Sequence, residues 1–106
     1  MTPVAFRPRA EQDLNDIEEE LAKRYSPQVA TKFIQAANET WDLLENMPEV
    51  GAPRRYRNRK LLGLRMWPMR RFEKYLVFYR ALERSVDVVR VLHSSRDIRR
   101  ILEEET

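Results

Sequence analysis

The apolar residues of this chain change their period at Gly51, and that change limits the folds open to it. Before Gly51, Ala10, Leu14, Ile17, Leu21 and Tyr25 recur every three or four residues. Ala30, Phe33, Ala37, Trp41 and Leu44 do the same. Each set is one face of an amphipathic helix. Pro8 sits where a helix start tolerates a missing N–H, and Ser26-Pro27 supplies an N-cap followed by proline. Glu11 and Asp13 fall in the first turn of the first helix, where negative charge complements the dipole. Glu19 with Lys23 and Glu20 with Arg24 are favourably oriented pairs one turn apart. The break at Ser26-Pro27 is short, so the helices are expected to form an antiparallel hairpin, closely packed at Ala36 and Ala37. Asn46-Met47-Pro48 ends the second helix.

After Gly51 the pattern is that of strands. Leu61–Met66 reads as a strand leading to Pro68. Phe72–Ala81 is apolar on both faces, which places it in the middle of a sheet. Glu83-Arg84 links it tightly to Val86–Leu92, so that pair is expected to be antiparallel. The alternation slips between Val88 and Val89, the mark of a bulge or of burial on both sides. Pro3–Phe6 reads as a short first strand. Ser94 to Asp97 fits a capping box before a short helix carrying Ile98, Ile101 and Leu102. Its end, Glu103-Glu104-Glu105, opposes the helix dipole and is expected to fray. The predicted order is β-α-α-β-β-β-α. This is an α+β fold, with the N-terminal helical hairpin packed on a mostly antiparallel twisted sheet, in a single domain over residues 1–106.

Charge is divided between the two halves. Residues 1–50 hold 5 basic and 10 acidic side chains, and residues 51–106 hold 15 and 7. Between Arg54 and Arg71 there are 8 basic residues and no acidic one. A block of this kind is either a solvated loop or a surface facing an anionic partner. With 0 cysteines, disulfides, thiolate metal sites and cysteine nucleophiles are excluded. The first ten residues lack the apolar core of a secretory signal, and no apolar run approaches a membrane span. A cytosolic protein is therefore expected, with no metal and no cofactor.

The succession Pro48-Glu49-Val50-Gly51, Leu62-Gly63-Leu64-Arg65, Phe72-Glu73-Lys74-Tyr75-Leu76-Val77-Phe78-Tyr79-Arg80 and Arg90-Val91-Leu92-His93-Ser94-Ser95-Arg96-Asp97 resembles the ParE-type toxins of the RelE/ParE superfamily. The resemblance covers essentially the whole chain. It implies a cytosolic toxin encoded beside a ParD-like antitoxin, which pairs a ribbon-helix-helix DNA-binding domain with a disordered tail. Operator DNA would be met only through that antitoxin. The tail is expected in a hydrophobic groove around the hairpin or at the sheet edge. ParE members poison DNA gyrase, and RelE members cleave mRNA on the ribosome.

The chemistry discriminates between these branches. Attack by a 2′-OH needs a proton acceptor, a proton donor and cations on the phosphate. Arg65 and Arg96 match basic positions of the ribonuclease set, but Leu76 stands where a basic residue is common, and residues 98–106 hold no Tyr or His. The expectation is therefore a gyrase inhibitor with no catalytic residue. The alternatives are a RelE-like endoribonuclease and a non-toxic module that only binds antitoxin. Target-binding candidates are Arg65, Trp67, Arg90 and Arg96. Arg65 has a structural alternative in a salt bridge to Glu73 or to the acidic helices. Trp67, beside Pro68, either stacks on a partner or covers a strand end. Arg90 interrupts an apolar strand, so it is expected to reach water or a partner. His93 is expected to hydrogen-bond at the strand-to-helix junction, and Asp97 to cap or brace the last helix.

Overall fold

Proline decides where the first two helices begin. The computed structural model describes residues 2–104. Strand β1 (Val4–Phe6) ends at Arg7, which is extended, and Pro8 takes the first helical position of α1 (Pro8–Arg24). Helix α2 (Pro27–Asn46) starts in the same way, with Ser26 Oγ accepting from the Val29 N–H at 3.1 Å. Tyr25, expected on the buried face of α1, instead closes the helix and is 66% exposed. The turn into α2 carries its side chain off the apolar stripe.

A two-residue strand, β2 (Ala52–Pro53), follows and was not foreseen. The strand expected at Leu61–Met66 begins later. Arg59–Leu61 form a 3-10 turn, with Asn58 Oδ1 accepting from the Lys60 N–H, and Gly63 takes φ +81° to redirect the chain. Strand β3 is Leu64–Met69, β4 is Phe72–Ala81 and β5 is Val86–His93. Pro68 lies within β3, where β2 has already ended and the register with β4 shifts, the two settings in which a strand tolerates proline.

The sheet order is β1-β5-β4-β3-β2, with β1 parallel to β5 and every other pair antiparallel. The doubly apolar strand β4 is central, as its pattern predicted. The slip at Val88/Val89 is a bulge: Tyr79 pairs with Val88 and Phe78 with Arg90, leaving Val89 without a partner. The sheet separates two cores. Val77, Tyr79, Val88 and Val91 meet Leu21, Phe33, Ala37 and Leu44 of the hairpin. Phe78, Val89 and Leu92 meet Leu61, Leu64 and α3 (Ile98–Glu104) on the other face. α3 is capped by Asp97, whose Oδ1 accepts from the Arg100 N–H at 3.4 Å. The capping box expected at Ser94 is absent because the Ser94 N–H still bonds the Lys74 carbonyl at the end of the sheet. α3 continues through Glu104, with Arg99–Glu103 and Arg100–Glu104 pairs along it. Glu105 lies outside the described residues.

Arg90 corrects its expectation most clearly. Its side chain is 0% exposed and reaches neither water nor a surface. Its Nε and Nη2 donate to the two oxygens of Asp13 at 2.7 and 3.0 Å. Asp13 is 5% exposed and so does not act as a solvated partner of the helix dipole. Its Oδ2 also accepts from the Val91 N–H at 3.0 Å. β1 stops pairing at Phe6↔Val88, so the carboxylate serves an edge N–H of β5 that has no strand beside it. Removing one member of a buried ion pair strands the other. Asp13→Ala is expected to lower stability by about 3–5 kcal/mol in urea unfolding, whereas Asp13→Leu with Arg90→Met recovers much of that loss.

Candidate functional site

The loop from α2 to β2 has few side chains to pack and is held by two residues of the sheet. Arg65 on β3 donates from Nη1 to the carbonyls of Glu49 at 3.0 Å and Gly51 at 2.8 Å. No salt bridge to Glu73 or to the helices forms; Nη1 is held by backbone oxygens instead. Tyr79 on β4 donates its hydroxyl to the Pro48 carbonyl at 2.7 Å and accepts from the Gly51 N–H at 2.8 Å. Gly51 is needed for this approach: a Cβ there would lie 2.6 Å from the Tyr79 oxygen. Burial first, and Glu49 secondarily, raise the Tyr79 pKa above its usual 10, against the opposing effects of the Gly51 bond and Arg65.

Beyond the hairpin side of β4, a cleft of about 360 Å³ opens between α1 and the end of β5. Its walls include Arg24, Tyr25, Tyr75, His93 and Arg96, none of which lies near Arg65 in sequence. His93 Nδ1 accepts from the Ser95 N–H at 3.0 Å and meets Ser95 Oγ at 2.8 Å, the junction role expected of it. A neutral ring in this arrangement carries its proton on Nε2. The ring stands edge-on to Tyr75, with centroids 5.0 Å apart. Burial, with help from Glu20, pushes the Tyr75 hydroxyl above its usual pKa. Asp16 and Glu20 also line the cleft, as does Arg9, so an entering phosphate meets charges of both signs on the α1 wall.

The structure therefore joins His93 and Arg96 but separates them from the other candidates. Trp67 lies within β3, where it pairs with Val77 and is partly buried against the hairpin core. Asp97 is the cap of α3. Arg70 and Arg71, in the β3–β4 turn, are paired with Glu39 on α2 at 3.4 and 2.7 Å. Arg71 takes φ 62°, and the Arg70 N–H bonds Thr40 Oγ1.

A second cleft, of about 520 Å³, lies against residues 53–65. It holds Arg54, Arg55 and Tyr56 beside Leu62. The Arg99 guanidinium stands over the Tyr56 ring at 5.2 Å, a cation–π contact that ties this segment to α3. Sequence reasoning missed Tyr56 as a site residue. The available signal was an aromatic inside an unbroken basic run. It also missed Tyr25 and Tyr75, which periodicity had assigned to core faces. Among the described residues, no three His, Cys, Asp or Glu side chains are placed to hold a metal ion, and no helix is long and apolar enough to cross a membrane.

The sequence matches, over residues 4–98, the family model described as "ParE toxin of type II toxin-antitoxin system, parDE". The chain belongs to the ParE toxin family. A solved structure described as "Chromosomal ParDE TA system from P. aeruginosa" superposes with a TM-score of 0.70 at 20% identity, covering 88% of this chain and 96% of that one. At that identity the likeness concerns the fold, and it matches the helical hairpin, five-stranded sheet and short last helix found here. Among curated protein sequences, none matches significantly. As a ParE-type toxin of a ParDE system, the chain has an antitoxin partner. Its fold sets the proton-bearing side chains, Tyr75 and His93, on the hairpin side of the sheet. Its loop cations lie on the α3 side.

Tyr79 supplies a test of the loop's anchoring. A raised folded pKa means that the linked stability is fully present below pH 10 and is lost as pH rises through the folded value. Alkaline unfolding of the toxin is expected to show this loss, and Tyr79→Phe to make the curve above pH 10 shallower. At neutral pH the same variant leaves the Pro48 carbonyl and the buried Gly51 N–H short of a partner, a cost of about 1–3 kcal/mol readable in urea unfolding.

Proposed function

We propose that this toxin acts by binding and trapping DNA gyrase on cleaved DNA, and that a ParD-like antitoxin neutralises it in the cytosol. The observation that supports a binder over a nuclease is that the densest cationic segment lies across the sheet from His93 and Tyr75, whose own cleft is of mixed charge. RNA cleavage by a 2′-OH needs proton-transfer groups and phosphate-holding cations around one phosphate. Here His93 and Tyr75 share their cleft with Arg9, Arg24 and Arg96, but Asp16 and Glu20 offset those cations, while the unpaired cations of residues 54–60 lie across the sheet. Arg65, the matching cation on β3, has its Nη1 turned to two carbonyls of the α2–β2 loop. Membership of the ParE family supports the gyrase target. The antitoxin's tail covers apolar side chains that the hairpin leaves open, among them Tyr25, Ile34 and Met47.

The ribonuclease reading retains one supporting observation, the meeting of His93 and Arg96 in a cleft with Tyr75. His93→Ala separates the two. Growth arrest on induction is expected to persist in the variant, and codon-specific cuts in a toeprinting assay are expected from neither protein. In a supercoiling assay with purified gyrase, the folded toxin is expected to inhibit the enzyme and to accumulate linear DNA. Absence of inhibition at micromolar toxin overturns the gyrase target.

A further inference from the structure

Ion pairs hold many of the cations of this chain, and the densest run of cations without one is a single segment. Lys23, Arg24, Arg99 and Arg100 pair with carboxylates one helical turn away. Arg7 and Arg80 share Asp87, Arg90 has Asp13, and Arg70 and Arg71 share Glu39. Arg54, Arg55, Arg57, Arg59 and Lys60 are all exposed, and none has a carboxylate within ion-pair distance among the described residues. No acidic residue occurs between Glu49 and Glu73. Folding holds these five like charges together despite their mutual repulsion. Leu61 is buried beneath them, Asn58 Oδ1 caps the turn, Asn58 Nδ2 bonds the Leu102 carbonyl at 3.4 Å, and Tyr56 is clamped by Arg99. The segment is thus a fixed cationic ridge seated on α3.

We propose that this ridge, with the adjoining face of α3, grips the phosphate backbone of duplex DNA. Four of its five cations are arginine, whose planar fork matches phosphate oxygens. Leu62 stands at the end of the ridge and is 80% exposed, while its neighbours Leu61 and Leu64 are buried at 2% and 1%. A single apolar side chain flanked by cations suits a wedge in the minor groove. An acidic amphipathic peptide would instead require a continuous apolar groove. The choice of duplex DNA rests on the proposed function, because a toxin that holds a topoisomerase on cleaved DNA works within reach of a duplex.

The test uses the full chain, free of antitoxin, and a fluorescently labelled DNA duplex read by anisotropy across a salt series. Binding by five cations gives a slope of log K against log salt of about −4.5, at about 0.9 per phosphate neutralised. The triple variant Arg55→Ser, Arg57→Ser, Arg59→Ser is expected to lose more than about tenfold in affinity and to reduce that slope by about 2.7. A control triple, Lys32→Ser, Lys74→Ser, Arg84→Ser, removes the same charge from exposed positions elsewhere and is expected to keep the slope. Equal weakening by both triples shows attraction by net charge alone and overturns the ridge as a site. Equal competition by polyglutamate overturns duplex DNA as its occupant and points to an acidic protein. Gyrase inhibition by a toxin that does not bind the duplex overturns the ridge and leaves the gyrase reading standing. Ridge-dependent duplex binding without gyrase inhibition does the reverse.

Discussion

The buried contact between Asp13 and Arg90 sets the relation of the helical hairpin to the sheet. Apolar packing brings α1 near β5 but is indifferent to small slides along it. A guanidinium and a carboxylate that share two hydrogen bonds are not indifferent, because a slide leaves two ions desolvated and unpaired. The additional bond from the Val91 N–H ties the carboxylate to one register of the strand. Asp13 also lines the cleft between α1 and the end of β5, so the pair fixes one point of its wall.

Much of this fold was legible in local pattern. Period, proline and capping located α1 and α2, the doubly apolar strand proved central, and the slip at Val88/Val89 proved to be a bulge. What escaped was non-local. Asp13 and Arg90 lie 77 positions apart, and each in isolation looks like a surface residue in an apolar context. Arg65 stood out in the basic segment, but its carbonyl partners belong to a loop whose path no periodicity describes. The start of β3 was misplaced because a 3-10 turn buries Leu61 without strand pairing, and burial is the only signal that hydrophobic pattern carries. For the candidate site, His93 was placed correctly because its partner Ser95 is two residues away. Tyr75 and Tyr25 were not, because the cleft they share forms only when α1 crosses β5.

The two faces of the sheet have separate tasks in this reading. The hairpin face holds the larger core and a cleft of mixed charge. The α3 face holds a smaller core whose outer surface is strongly cationic. An enzyme acting on RNA profits from bringing such features together, whereas a protein that wedges into a partner's assembly can keep them apart. The absence of acids between Glu49 and Glu73 allows this division, since any carboxylate there would neutralise the segment from within.

The ending of β1 at Phe6 leaves the outer margin of β5 without a neighbouring strand from Val89 onward. Such margins are where sheets of separate molecules join end to end, a hazard for a toxin that must remain dispersed. Asp13 occupies the place that an incoming strand would need at Val91. An intruder would have to expel a carboxylate and strand the arginine it neutralises. One acidic side chain thus seals this margin of the sheet against fibre-like growth, as a helix or an added strand does in larger proteins.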